Sequence, residues 1–61
     1  MKTIYYIKAD MLSRIEQKEN GCWAEYKGQI DGALYYCGDY ATEEKARKHK
    51  EKDGWREAKS F

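Results

Sequence analysis

The chain has 61 residues, with twelve Lys or Arg, eleven Asp or Glu and a formal net charge of +1. A chain this short buries only roughly 60% of the surface it exposes unfolded, which leaves room for one domain (residues 1–61) and excludes a large enclosed catalytic pocket. With a pI near 7.7 it has no global field to steer a polyanion, whereas dedicated non-specific nucleic-acid binders have a pI above about 9.

No run is long enough to span a bilayer. The first apolar run, residues 4–7, stops at Lys8, too short for a signal-peptide core. Val is absent, and Leu, Ile and Phe together number seven, so six Tyr and two Trp must supply the core's bulk. Cys22, Cys37 and the single His49 form neither a disulfide framework nor a Cys-x-x-Cys metal motif. The expectation is a cytoplasmic protein with reduced thiols and no membrane, metal or cofactor. No Cys–His–carboxylate trio lies in the sequence, so no catalytic residue is assigned and no enzyme is expected.

In chain order, side chains alternate from Tyr5. Tyr5, Ile7, Ala9, Met11, Ser13 and Ile15 are mostly apolar. Tyr6, Lys8, Asp10, Leu12, Arg14 and Glu16 are mostly polar. Period two is the signature of a half-buried strand. Asn20-Gly21 and Asp31-Gly32 tolerate the positive φ of tight hairpin turns. Two-residue turns there pair Ile15 with Tyr26 and Tyr26 with Cys37, a three-stranded meander. One face then collects Met11, Ile15, Ala24, Tyr26, Ile30, Ala33, Tyr35 and Cys37. The other collects Leu12, Arg14, Glu16, Trp23, Glu25, Lys27, Leu34, Tyr36 and Tyr40. This register sets Glu16 against Glu25 and Arg14 against Lys27, which like charges disfavour. The alternative for residues 11–19 is a short helix capped by Asp10 and ended by Asn20-Gly21.

Thr42 is an N-cap residue, followed by Glu43 and Glu44 at the positive end of a helix dipole. Lys50 and Lys52 suit the negative end, and Gly54 fits the C′ position, so a helix is predicted over 43–53. Its inner face would be Ala46 and a half-buried His49. Trp55 would dock the tail onto the core. The fold class is α+β: a three-stranded antiparallel sheet packed on one C-terminal helix.

One helix covers one sheet face and leaves the other open. Trp23, Tyr36 and Tyr40, with Arg14 and Lys27, are the candidate partner-binding residues, because Tyr, Trp and Arg dominate protein hot spots. The same mixture can stack on bases and grip phosphates. A nucleic-acid surface would combine Arg14 and Lys27 with the helix stripe Lys45, Lys48 and Lys52, although Glu44 and Glu51 neutralise that stripe locally. An exposed third strand can also pair with its mate in a homodimer.

Residues 32–48 carry Gly38, Tyr40, Thr42, Glu44 and Ala46 in a pattern that resembles AP2-type and phage-integrase arm-binding domains. In those domains a last strand ends in Gly-x-aromatic and x-Thr-x-Glu-x-Ala opens a helix. The resemblance implies a three-stranded sheet on one helix, with the open face in the DNA major groove. Size and tyrosine-rich, near-neutral composition are also similar to small bacteriophage accessory proteins, anti-CRISPR inhibitors among them. That likeness implies a module that binds and inhibits or modulates a host protein.

Overall fold

A computed structural model describes residues 2–59. Five strands and one helix follow in the order β1 (Thr3–Lys8), β2 (Met11–Gln17), β3 (Trp23–Gln29), β4 (Leu34–Tyr40), α1 (Glu43–Lys52) and β5 (Arg56–Ala58). All pairings are antiparallel, and the sheet order is β4-β3-β2-β1-β5. The α+β class therefore stands, with five strands in place of three and a strand after the helix.

The run expected as one strand from Tyr5 to Glu16 is a hairpin. The chain reverses at Ala9 and Asp10, so that Lys8 faces Met11 and Ile4 faces Ile15. Ala9 takes φ 55° to do so, a left-handed conformation that costs an L-residue roughly 1–2 kcal/mol. Alternation continues on both sides of the reversal, which is why it reads as a single strand. Residues 11–17 are strand, and the helical alternative for 11–19 is not formed.

The second hairpin has a three-residue loop. Gly21 N–H donates to Lys18 O at 2.9 Å and Lys18 N–H to Cys22 O at 2.8 Å, with Gly21 at φ 89°. This is a type I turn completed by a left-handed glycine, which inserts one residue more than a two-residue turn. The extra residue moves the β2–β3 register by one: Arg14 faces Tyr26, Ile15 faces Glu25 and Gln17 faces Trp23. A one-residue slip exchanges the faces of a whole strand. Between β3 and β4 the expected register holds from Trp23–Tyr40 to Glu25–Gly38, then slips at a bulge so that Tyr26 faces Tyr36.

Helix α1 forms where expected. Thr42 Oγ1 accepts from Lys45 N–H at 3.2 Å, and Glu43 and Glu44 occupy the first turn. At the other end Gly54 takes φ 87°. Gly54 N–H donates to Glu51 O and Trp55 N–H to Lys50 O. That paired bonding caps the last carbonyls and turns the chain back under the helix. Trp55 is thereby driven into the core, and β5 aligns beside β1, with Tyr6 facing Glu57.

The core lies between α1 and one sheet face. Ile4, Tyr6, Ile15, Trp23, Ala46 and Trp55 form it, with Tyr40 packed against it. The helix's inner positions are Ala46 and Lys50, both fully buried. His49 is exposed, one position away from the inner stripe. Its ring lies 5.3 Å from that of Tyr40, and Nε2 is 3.8 Å from Asp53. Among the described residues no helix is long and apolar enough to cross a membrane.

Candidate functional site: the open face of the sheet

Cross-strand partners share a face, so the register assigns each side chain to one side. Trp23, Glu25 and Lys27 align with Gln17, Ile15 and Ser13, on the helix side. Tyr40 faces Trp23 and joins them there. Three of the five residues expected on the aromatic surface are therefore not on it. Trp23 is only 3% exposed, a core residue. Tyr40 is half-buried, its hydroxyl donating to Glu25 Oε1 at 3.2 Å. Lys27 faces Tyr35 on the helix side.

Arg14 and Tyr36 remain on the open face, and the true register adds residues not expected there. One row across the sheet reads Ala58, Tyr5, Arg14, Tyr26, Tyr36. The neighbouring row reads Arg56, Ile7, Leu12, Gly28, Leu34. On the other side lie Thr3, Glu16, Ala24 and Asp39. The face is thus an aromatic row with one guanidinium, flanked by an aliphatic row and an acidic one.

The aromatic row is held in place by its own contacts. The Arg14 guanidinium stands 4.4 Å from the centre of the Tyr26 ring, and Nε lies 2.8 Å from Glu16 Oε1. Tyr26 and Tyr36 meet edge to face at 5.7 Å, a geometry favoured by the ring quadrupoles. Tyr36 donates its hydroxyl proton to Asp39 Oδ1 at 2.8 Å, and Lys18 Nζ donates to Oδ2 at 2.8 Å. The Asp39 carboxyl is held below its ordinary range by Lys18 first and Tyr36 second, and the Tyr36 phenol is pushed up by its bond to Asp39. Tyr36 nevertheless leaves 57% of its surface in water. These contacts restrict the rotamers of the row, and side chains already restricted lose less entropy when a surface is covered.

Gly28 keeps the aliphatic row flat. A Cβ there would collide with the Ala33 carbonyl oxygen and lie 3.1 Å from Leu34 Cα. The backbone at Ala33 and Leu34 passes over this position, beside Leu12, which is 9% exposed on the sheet face opposite α1.

The residues expected to bind nucleic acid are split by the sheet. Arg14 is on the open face, and Lys27 is on the helix side. Lys45, Lys48 and Lys52 are exposed on α1, across the sheet from Arg14. Glu44 Oε2 stands 4.0 Å from Lys48 Nζ.

Behind the open face lies a buried polar cluster. Lys50 Nζ donates to Ser13 Oγ and pairs with the Glu25 carboxylate, and stands 4.4 Å from the Trp55 ring centre. Ser13 Oγ in turn donates to Tyr26 O at 2.7 Å. Burial pulls the Lys50 ammonium below its ordinary range, against the pull of Glu25. Tyr40 is pushed up to about 12, by burial first and by the Glu25 charge next. Lys50 and Glu25 are 0% and 6% exposed at their side chains, so the cluster meets no solute and serves the fold. By sequence alone Lys50 is one of the helix-end charges. The signal for its burial is its i,i+4 spacing from Ala46.

Cys22 and Cys37 are free thiols. Among the described residues no three His, Cys, Asp or Glu side chains are grouped to hold a metal. No protein-family model matches the chain, and neither a curated protein nor a solved structure is significantly similar to it.

Proposed function

We propose that the chain is a non-catalytic binding module that covers part of a protein partner with the open sheet face, centred on Arg14, Tyr26 and Tyr36. It would modulate or inhibit that partner by occupying its surface, as a small accessory protein of phage or mobile-element type does. The observation that carries the reading is the row Tyr5, Arg14, Tyr26, Tyr36, on a face that no other described element covers. Rigid tyrosines with an arginine between them are the residue types that concentrate binding energy at protein interfaces.

Charge favours protein over DNA. Arg14 is already paired with Glu16, and Lys18 with Asp39. Binding DNA through this face would rely on Arg14 and Arg56, too few to neutralise several phosphates.

The test places a photo-crosslinking amino acid at position 36 and, separately, at position 48 on the helix exterior. In extract from cells in which the chain acts, position 36 is expected to capture one protein and position 48 none. Arg14→Ala and Tyr26→Ala should each weaken that capture at least tenfold. Capture indifferent to both substitutions would overturn the reading. Duplex DNA binding that falls steeply with salt and is lost in Lys45→Ala/Lys48→Ala would move the function to the helix.

A further inference from the structure

The outer strands of an open sheet present unpaired amides and carbonyls, and proteins blunt such edges with short strands, charge, proline or a bulge. The two edges of this sheet are treated differently. At one, β5 is three residues long and two of the three, Arg56 and Glu57, are charged. At the other, β4 runs for seven residues, Leu-Tyr-Tyr-Cys-Gly-Asp-Tyr, with no Lys, Arg or Pro. Its bulge lies beyond Tyr36, so residues 34–36 pair regularly with β3. That stretch bears Tyr35, 70% exposed, and Tyr36, 57% exposed, on opposite faces.

We propose that β4 pairs antiparallel with β4 of a second copy of this chain, about a twofold axis passing by Tyr35 and normal to the sheet. Tyr35 then faces the mate's Tyr35, and Leu34 faces the mate's Tyr36. A strand that pairs with its own copy must match itself when reversed. Residues 34–36 do, being bulky and uncharged from either end. A register centred two or more residues further on brings Asp39 toward its own mate and places the bulge in the seam. The axis keeps both helices on one side and joins the two open faces into a single one. Each aromatic row ends at Tyr36, beside the seam, so the mate extends the surface on which the proposed function rests. The seam is short, and interfaces below about 1,200 Å² are weak and reversible.

Sedimentation equilibrium is therefore run from about 10 µM to 1 mM, the range in which small interfaces associate. The weight-average mass is expected to climb from the 7.2 kDa of the monomer toward twice that value. Tyr35→Lys should hold it at the monomer throughout with an unchanged circular dichroism spectrum, because Tyr35 is 70% exposed. In a Cys22→Ser/Cys37→Ser background, Tyr35→Cys should give a symmetric disulfide at least tenfold faster than Lys48→Cys. A monomer at every concentration, or a dimer indifferent to Tyr35→Lys, overturns the proposal. So does a monomer whose partner capture Tyr35→Lys abolishes, since the edge then belongs to a partner's strand. A failed dimer with capture still sensitive to Arg14→Ala leaves the open-face reading standing.

Discussion

Replacing Lys50 by Met tests the interior directly. The substitution preserves most of the side chain's volume and its packing against Trp55, but removes the ammonium paired with the Glu25 carboxylate. Glu25 is left 4% exposed, with the Tyr40 hydroxyl still donating to it. Breaking a buried ion pair from one side costs about 3–5 kcal/mol. A domain of 61 residues has about 3–9 kcal/mol in all, at roughly 0.05–0.15 kcal/mol per residue. Lys50→Met alone should therefore lower the melting temperature by more than roughly 12 °C, at 4–8 °C per kcal/mol for a domain of this size. The double variant Lys50→Met/Glu25→Leu should recover to within about 1 kcal/mol of wild type or exceed it, because an apolar replacement of both partners is neutral or favourable. Urea unfolding followed by tryptophan fluorescence reads both, since Trp23 and Trp55 are in the core. A cost below about 1 kcal/mol for the single change, or no recovery in the double, would refute the claim that this pair is sealed and mutually dependent.

Gly28→Ala should destabilise by at least about 2 kcal/mol, measured by urea midpoint, because the new methyl meets backbone at Ala33 that cannot rotate away. Ala9→Gly should leave stability equal or raise it by up to about 1 kcal/mol, since glycine removes the left-handed strain at φ 55° but adds unfolded-state entropy; a loss above about 1 kcal/mol would count against strain there. Tyr40, raised from 10.0 to about 12, keeps its proton longer folded than unfolded. Its contribution is thus complete below pH 10 and lost as pH rises toward 12, at most about 2–3 kcal/mol before solvent screening of its exposed part. Tyr40→Phe should flatten that alkaline loss in urea midpoints taken from about pH 9 to 12. An unchanged slope would assign it elsewhere.

The helix was legible because its signals are local. Thr42, the paired glutamates and Gly54 each act within one turn, and all three take the roles their chemistry suggests. Strand alternation was legible too, but Tyr5 and Ile7 are apolar on the open face, so the odd positions stay apolar through the reversal at Ala9 and Asp10 although the turn exchanges the face they occupy, and the β1–β2 hairpin was hidden. β5 was hidden by its brevity: three residues with two charges carry no pattern of their own.

One turn accounts for the difference between the expected and the observed open face. Asn20-Gly21 marks a turn without stating its length, and the three-residue form exchanges the faces of β3 relative to β2. Trp23 thereby enters the core, and Tyr26 reaches the open face. The like-charge contacts of the two-residue register, Glu16 with Glu25 and Arg14 with Lys27, were the sign of that slip. In the observed register Arg14 stacks on Tyr26, while Glu25 turns inward to Lys50. A polar pair in the middle of a small core is not legible from pattern, because a buried lysine has the spacing of an apolar residue and the composition of a surface one.

Footprinting of side chains with and without the partner bears most directly on the central claim. In the free protein, nitration should modify Tyr36 readily and spare Tyr6, which is 2% exposed. In the complex Tyr36 should become protected while Lys45 and Lys48 stay open to acetylation. Protection of the helix lysines with Tyr36 still reactive would contradict the account.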